Sequence, residues 1–276
     1  MPKPTREPAY ERRYRNALER VADAIDKMID AWDGRNVDAL AQDIASQSLR
    51  IEPWARRTAA DMLHGAAMAD KRRWQAMSES MGGSMRAMLK KVGNTSPTGA
   101  AYNRLLDDQV HLIKSMHTDQ AERVHEIVRE AHLTSIRAND TARLVRELWL
   151  KTGTQAGKAK AQLIARTESS RAASSLTQVR AESIGSKGYI WRTIKDTDVR
   201  KSHRDLDGEY IPWDSPPTTD SLAGHAGCVP NCRCYPEPVL PTRVTTIQPA
   251  EIAIPTTGGA RETPSQFFHL GTYAKK

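Results

Sequence analysis

The stretch Leu163–Ile194, LIARTESSRAASSLTQVRAESIGSKGYIWRTI, contains the point at which the chain changes from helix to strand. The segment that begins at Lys158 is typical of a long basic helix, and Gly185 is a common type of helix terminator. After Gly188, GYIWRTI has the aromatic and β-branched content of a strand, and helical periodicity does not return. The sequence therefore predicts an α+β protein, with a mainly α-helical N-terminal region followed by a small α+β C-terminal domain and an extended tail.

The N-terminal region predicts a series of amphipathic helices. Between Pro8 and Trp32, apolar residues recur every three or four positions, and Asp33-Gly34 is a typical helix end. Further helices are predicted at Val37–Leu49 and from Pro53 to His64, and Gly82-Gly83 interrupts the next one. Additional breaks are predicted at three sites with turn-forming residues: 93–99, 137–140 and 151–157.

These patterns divide the chain into three parts. A helical region covers residues 1–157, the α+β domain covers residues 158–240, and a tail covers residues 241–276. The tail is rich in Pro and Thr, so we expect an extended segment that becomes ordered on a partner surface.

Composition limits the class of protein. The chain has 276 residues and a formal net charge of +8, and its mean hydropathy is −0.61. It contains no apolar run of the roughly 18 residues that span a bilayer, and its first 20 residues lack the apolar core of a secretory signal. We therefore expect synthesis in a reducing cytoplasm, no membrane partner and no disulfide framework.

Most of the positive charge lies in one segment. Residues 151–200 contain ten Lys or Arg against four Asp or Glu. Such a segment can attract nucleic acid or an acidic protein surface, and it can equally be an ordinary solvated helix face. The candidate contact residues are Lys158, Lys160, Arg166, Arg171, Arg180 and Lys187.

All three cysteines lie within seven residues, in the stretch AGHAGCVPNCRC, and His225 precedes them. Together with His203, the thiolates of Cys228, Cys232 and Cys234 supply the ligand types and number of one structural zinc ion. The alternative is that the thiols are reduced and buried in a small core, because free cysteine is among the most buried side chains.

Several motifs in residues 160–240 resemble the head morphogenesis, or minor head protein, family of tailed bacteriophages, which includes phage Mu protein F. The matching motifs are Ala165-Arg166-Thr167-Glu168, Gly188, Trp191, Asp198 with Arg200 and His203, Asp207-Gly208, and Asn231-Cys232-Arg233-Cys234 followed by Pro236. The resemblance implies a structural virion protein, made in the host cytoplasm and located in the phage head near the portal.

The same resemblance implies the partners. They are the portal protein, with the major capsid or scaffolding protein, and double-stranded DNA. From the residues themselves, Glu168 is expected to pair locally with Arg171, Arg200 or another basic group rather than to act as a catalyst. Arg200, His203 and Asp207 are expected to form a buried polar network that fixes the turn.

Two other interpretations remain open. In the first, His203, Asp205, Asp207 and the cysteine cluster belong to a metal-dependent nuclease, or a cysteine and a histidine form the centre of another hydrolase. In the second, the chain is a plain DNA-binding protein, although aromatic stacking platforms are missing. The structural interpretation predicts a protein that is not an enzyme.

Overall fold

The computed structural model describes residues 7–33, 36–94, 99–133, 143 and 146–241. Its longer helices are α1 (Ala9–Ala31), α2 (Val37–Arg50), α3 (Glu52–Glu79), α4 (Gly83–Asn94), α5 (Gly99–Leu133) and α6 (Thr154–Glu182). The short elements that follow are β1 (Gly188–Arg192), α7 (Lys201–Asp205), β2 (Tyr210–Pro212), β3 (Thr218–Thr219), β4 (Leu222–Ala223) and β5 (Tyr235–Pro238). The predicted α+β class, mainly helical with a small C-terminal α+β part, is confirmed.

The first two helices form where the sequence predicts them. The apolar stripe of α1 is buried, since Leu18, Ile25 and Ile29 are at most 1% exposed. The helix α2 begins after Asn36, whose side chain accepts a hydrogen bond from the Ala39 amide at 3.0 Å. This side chain satisfies a backbone donor that the first turn of a helix leaves without a partner.

Two predicted helix boundaries are wrong. The third helix does not end at His64 but continues to Glu79, and the interruption at Gly82-Gly83 follows it as predicted. There is no break at 151–157, because a π-helical turn at Trp149–Gly153 leads directly into α6. Gly153 allows this continuity, since a Cβ there would lie 2.4 Å from the Trp149 indole. The predicted break at 137–140, most of that at 93–99 and the tail after residue 241 lie outside the described residues.

The strands form two small antiparallel sheets. In the first, β1 lies between β2 and β5, with Gly188 opposite Pro212 and Trp191 opposite Pro236. Both prolines lie on edge strands, where a missing amide donor costs no ladder hydrogen bond. The second sheet pairs β3 with β4. The strand predicted after Gly188 is confirmed.

The described residues form two compact units, each assembled from several segments. The first unit contains residues 7–12, 60–106 and 166–241, and the second contains residues 13–59 and 107–165, each apart from the gaps named above. In the first unit, helical side chains and sheet side chains share one core. Its members include Trp74, Met77, Leu89, Tyr189, Trp191, Ile211, Trp213, Val229, Cys232 and Cys234.

The second unit has a helical core. Leu18, Ile44 and Leu112 are fully buried there, and the Trp149 indole donates a hydrogen bond to Asp26 at 2.7 Å. Among the described residues, no helix is both long and apolar enough to cross a membrane.

Candidate functional site

His203 lies on the short helix α7, at the centre of the first unit's C-terminal part. The chain enters α7 through Arg200, which is extended, and His203 is 2% exposed. Its Nε2 lies 3.2 Å from the hydroxyl of Thr219 on β3, and its ring packs against Trp191 in a T-shaped arrangement with centroids 5.4 Å apart. The remaining ring nitrogen, Nδ1, is directed towards the cysteines.

Cys232 and Cys234 approach His203 from the loop that leads into β5. Both Sγ atoms lie 3.5 Å from His203 Nδ1, and the three donor atoms all lie within 4.8 Å of one another. The Gly227 amide donates a hydrogen bond to the Cys232 sulfur at 3.3 Å. The structure therefore brings together a His-Cys-Cys cluster from segments that are about thirty positions apart.

Cys228 does not belong to this cluster. Its side chain is fully buried, and burial raises the pKa of its thiol to about 12. It therefore stays protonated, as in the interpretation of the cysteines as buried core thiols. Of the four predicted zinc ligands, the structure brings together His203, Cys232 and Cys234.

The two clustered thiols differ in acidity. Burial alone would raise the pKa of Cys232, but the hydrogen bonds that it shares with Cys234 and His203 outweigh burial and hold that pKa well below its usual value. The hydrogen bond to Cys232, together with burial, raises the pKa of Cys234. The close contact of the two thiols therefore moves their pKa values in opposite directions, downward for Cys232 and upward for Cys234.

The helix α6 directs the polar side chains of Thr167 and Glu168 inward. Glu168 is 0% exposed and forms an ion pair with Arg171, with 2.7 Å between the carboxylate and Nη2. The neighbouring Thr167 accepts a hydrogen bond from the Asn231 amide at 3.0 Å, which joins α6 to the cysteine loop. Glu168 is therefore placed in a structural ion pair with Arg171, its expected neighbour.

The prediction that all six basic residues face a partner needs correction for two of them. Arg171 is 1% exposed and Arg180 is 3% exposed, and each is held in a buried ion pair, with Glu168 and Asp70 respectively. Their charges balance carboxylates inside the protein, so they are not available to a partner surface.

The other four basic residues are more accessible, to different degrees. Lys158 and Lys187 are exposed, and Lys158 pairs with Asp23 at 3.2 Å. Arg166 is half-buried, and Lys160 is mostly covered and paired with Asp119. Burial lowers the pKa of Lys160 to about 8.

The predicted network of Arg200, His203 and Asp207 is not formed, because each side chain binds a different part of the backbone or loop. Arg200 donates to the Pro230 carbonyl at 2.7 Å. Asp207 accepts from the Thr193 amide at 2.7 Å and from its hydroxyl at 3.2 Å. Among the described residues, no side-chain hydrogen bond joins any two of the three, although the His203 amide donates to the Arg200 carbonyl at 3.1 Å. They fix three separate connections around the same sheet.

Two buried polar groups were not predicted from the sequence. Asp70 binds Thr177 and Arg180 within the first unit, and the Tyr189 hydroxyl lies 3.1 Å from His225 Nδ1. Asp70 is one of many charged residues in α3, so the local sequence does not indicate that it is buried. His225 precedes the cysteines, but its pKa is lowered to about 4 by burial, and it remains a neutral core residue.

The site is closed. His203, Cys232 and Cys234 are at most 5% exposed, under a core that includes Trp191 and Trp213. A phosphodiester or peptide substrate cannot reach His203 in this arrangement. The geometry suits a structural role better than the nuclease or hydrolase interpretation.

Comparison with known proteins agrees with the motifs. Residues 111–236 match the family model described as Phage Mu protein F like protein, starting within α5 and ending in β5. The match thus begins earlier than the motif resemblance, which starts near residue 160. A curated protein of Haemophilus influenzae, named only as an uncharacterized protein, is 33% identical over 138 residues.

That alignment covers 50% of this chain and 29% of the relative, so the chain corresponds to less than a third of the relative's length. No solved structure matches the chain. The residues that carry the resemblance, from Ala165 to Pro236, all fall inside the matched range. Residues 111–236, a little under half of the chain, are therefore similar to the family described as Phage Mu protein F like protein.

Proposed function

We propose that this protein is a structural minor head protein of a tailed bacteriophage, which associates with the portal during head assembly. The observation that carries the proposal is the family match over residues 111–236. On this proposal the protein is made in the host cytoplasm and becomes part of the virion.

The orientation of the motif residues supports a structural role. Thr167, Glu168, His203, Cys232 and Cys234 are at most 5% exposed. Their contacts join α6, α7 and the cysteine loop to one another. Catalytic residues must touch a substrate, whereas residues that hold a fold together do not, so the motif is best explained as a folding framework.

Exposed lysines are the proposed points of partner contact. Lys158 and Lys187 present their charges to solvent, and they suit either an acidic face of the portal, major capsid or scaffolding protein or the phosphates of packaged DNA. We favour a protein partner, because two buried arginines leave fewer of the predicted cations for DNA.

The test is co-expression of the full chain with the portal protein of the same phage, followed by affinity purification of the portal. We expect a stable complex at low salt, and weaker recovery of the Lys158→Glu and Lys187→Glu variants. Arg56→Glu is the matched control outside the basic segment, because it also reverses a charge in a surface pair, and the Arg56 and Lys158 side chains are both 51% exposed. Absence of a complex, together with absence of the chain from assembled heads, would contradict the proposal.

DNA contact is tested separately by fluorescence anisotropy with a double-stranded oligonucleotide at two salt concentrations. Binding through phosphates weakens steeply as salt increases. Salt-independent binding, or none at low salt, would exclude DNA from the partners. A nuclease assay of the same preparation with magnesium or zinc is expected to show no cleavage.

A further inference from the structure

We propose that His203 Nδ1, Cys232 Sγ and Cys234 Sγ bind one zinc ion, which connects α7 to the loop before β5. This site is independent of the proposed head function, because it follows from three donor atoms in the first unit. Cys228, although it belongs to the same cysteine stretch, is not a ligand on this proposal.

The spacing of the donor atoms fits a tetrahedral ion. Zinc binds nitrogen at about 2.1 Å and thiolate sulfur at about 2.3 Å, and at a tetrahedral angle these bonds place N and S about 3.6 Å apart. The two observed N···S distances are both 3.5 Å, and no pair among the three donors exceeds 4.8 Å. One ion can therefore contact all three donors with little movement of the chain.

The groups around the ligands are those that orient a metal site. Histidine ligands usually donate their second ring N–H to a neighbour, which fixes the ring, and His203 Nε2 lies 3.2 Å from the Thr219 hydroxyl. The Gly227 amide donates to the Cys232 sulfur at 3.3 Å, as amides do to metal-bound thiolates. Thr219 and Gly227 therefore orient the His203 ring and the Cys232 sulfur without occupying His203 Nδ1, which lies near both sulfurs.

The chemistry of the donors selects the metal. Two thiolates and one imidazole favour zinc over calcium or magnesium, which take oxygen ligands. Three protein donors leave the fourth position of a tetrahedral ion to a ligand other than these three side chains. Because the cluster is buried among Trp191, Trp213 and Val229, the role of the ion is structural.

The experiment uses the full chain, produced with zinc in the medium and purified without chelator. Its metal content is measured by plasma mass spectrometry. We expect one zinc per chain in the wild type and in Cys228→Ala, and at least ~10-fold lower occupancy in Cys232→Ala and Cys234→Ala. Cys228→Ala is a matched control, because it also removes a buried thiol from the same stretch.

A second measurement serves if the ligand variants fail to fold. Cobalt is added to the metal-free wild type, and thiolate-to-cobalt charge-transfer absorption is expected if the two sulfurs bind the ion. Thr219→Val, which keeps all three donors, should weaken zinc binding about 10–100-fold.

Three results would overturn the proposal. One is a wild type that takes up neither zinc nor cobalt. Another is equal loss of metal in Cys228→Ala, which would make Cys228 a ligand. The third is a count of one free thiol in the denatured protein, which would show two of the three cysteines joined in a disulfide, and any such pair includes Cys232 or Cys234.

Discussion

Arg180 on α6 and Asp70 on α3 form a buried ion pair, with 2.8 Å between Arg180 Nε and Asp70 Oδ2 and at most 4% exposure of either side chain. The Thr177 hydroxyl donates to the other carboxylate oxygen at 2.6 Å. Burial alone raises the pKa of Asp70, and the neighbouring arginines and Thr177 oppose that effect. The pair therefore joins two helices of the first unit. Burying both charges costs free energy of desolvation, which their mutual attraction and the Thr177 hydrogen bond offset.

Replacing one member of this pair should be strongly destabilising. We expect Asp70→Leu to lower the free energy of unfolding by about 3–5 kcal/mol, because Arg180 is then a buried charge without its carboxylate. Urea denaturation followed by tryptophan fluorescence measures the change. The double variant Asp70→Leu with Arg180→Met should recover part of the loss, since it removes both charges.

The control for that experiment is an exposed pair of the same residue types. Arg56 lies 3.3 Å from Asp107, and their side chains are 51% and 67% exposed. Arg56→Ala should leave the free energy of unfolding nearly unchanged, because solvent screens the pair. Equal effects of Asp70→Leu and Arg56→Ala would show that the buried pair contributes no more than a surface contact.

Because His117 is buried, we expect the protein to lose stability in acid. Burial lowers the pKa of this histidine from 6.5 to about 4, so it is neutral in the folded protein. As the pH falls, His117 is therefore protonated at a higher pH in the unfolded chain than in the folded protein. The stabilising contribution is therefore complete above pH 6.5 and is lost between pH 6.5 and 4, by up to about 3 kcal/mol.

The measurement is the free energy of unfolding as a function of pH in wild type, His117→Leu and His111→Leu. We expect a shallower pH dependence for His117→Leu only, since His111 is exposed on the same helix. If His117→Leu keeps the wild-type slope, His117 does not cause the acid sensitivity.

Gly227 should not tolerate a side chain. Its φ is +84°, and an added Cβ would lie 2.4 Å from the Ser174 hydroxyl and 2.9 Å from the Cys234 carbonyl. Gly208 also has a positive φ, but an added Cβ there meets no atom within 4 Å. We expect Gly208→Ala to cost about 1–2 kcal/mol from backbone strain, and Gly227→Ala to cost clearly more. Equal melting temperatures for the two variants would contradict the predicted clash.

Thr167 should stabilise the cysteine loop through one hydrogen bond. Its hydroxyl accepts from the amide of Asn231, which has a positive φ of 58°. Thr167→Val leaves that amide without its acceptor, and we expect a loss of about 1–3 kcal/mol in chemical denaturation. Thr167→Ser keeps the acceptor and should restore most of the stability. A valine variant as stable as wild type would mean that the amide finds another acceptor.

Local patterns in the sequence predicted the elements that depend on neighbouring residues. The apolar spacing of α1, the interruption at Gly82-Gly83 and the strand after Gly188 were all confirmed. The two wrong boundaries both come from small residues that tertiary packing accommodates. Gly153, for example, continues a helix because the Trp149 indole occupies the space that a side chain would need.

The candidate site likewise combines features that the sequence predicts with features that depend on tertiary contacts. By itself, the sequence determined the class of fold, the change from helix to strand near Gly185 and the residue types that a zinc ion requires. Only the tertiary structure decided which of those residues meet: Cys232 and Cys234 reach His203, and Cys228 does not. It also decided that Arg171 and Arg180 are buried while Lys187 is exposed. The physical reason is that burial and ligand distances arise from contacts between segments far apart in the chain, whereas local spacing records only which residue types are adjacent.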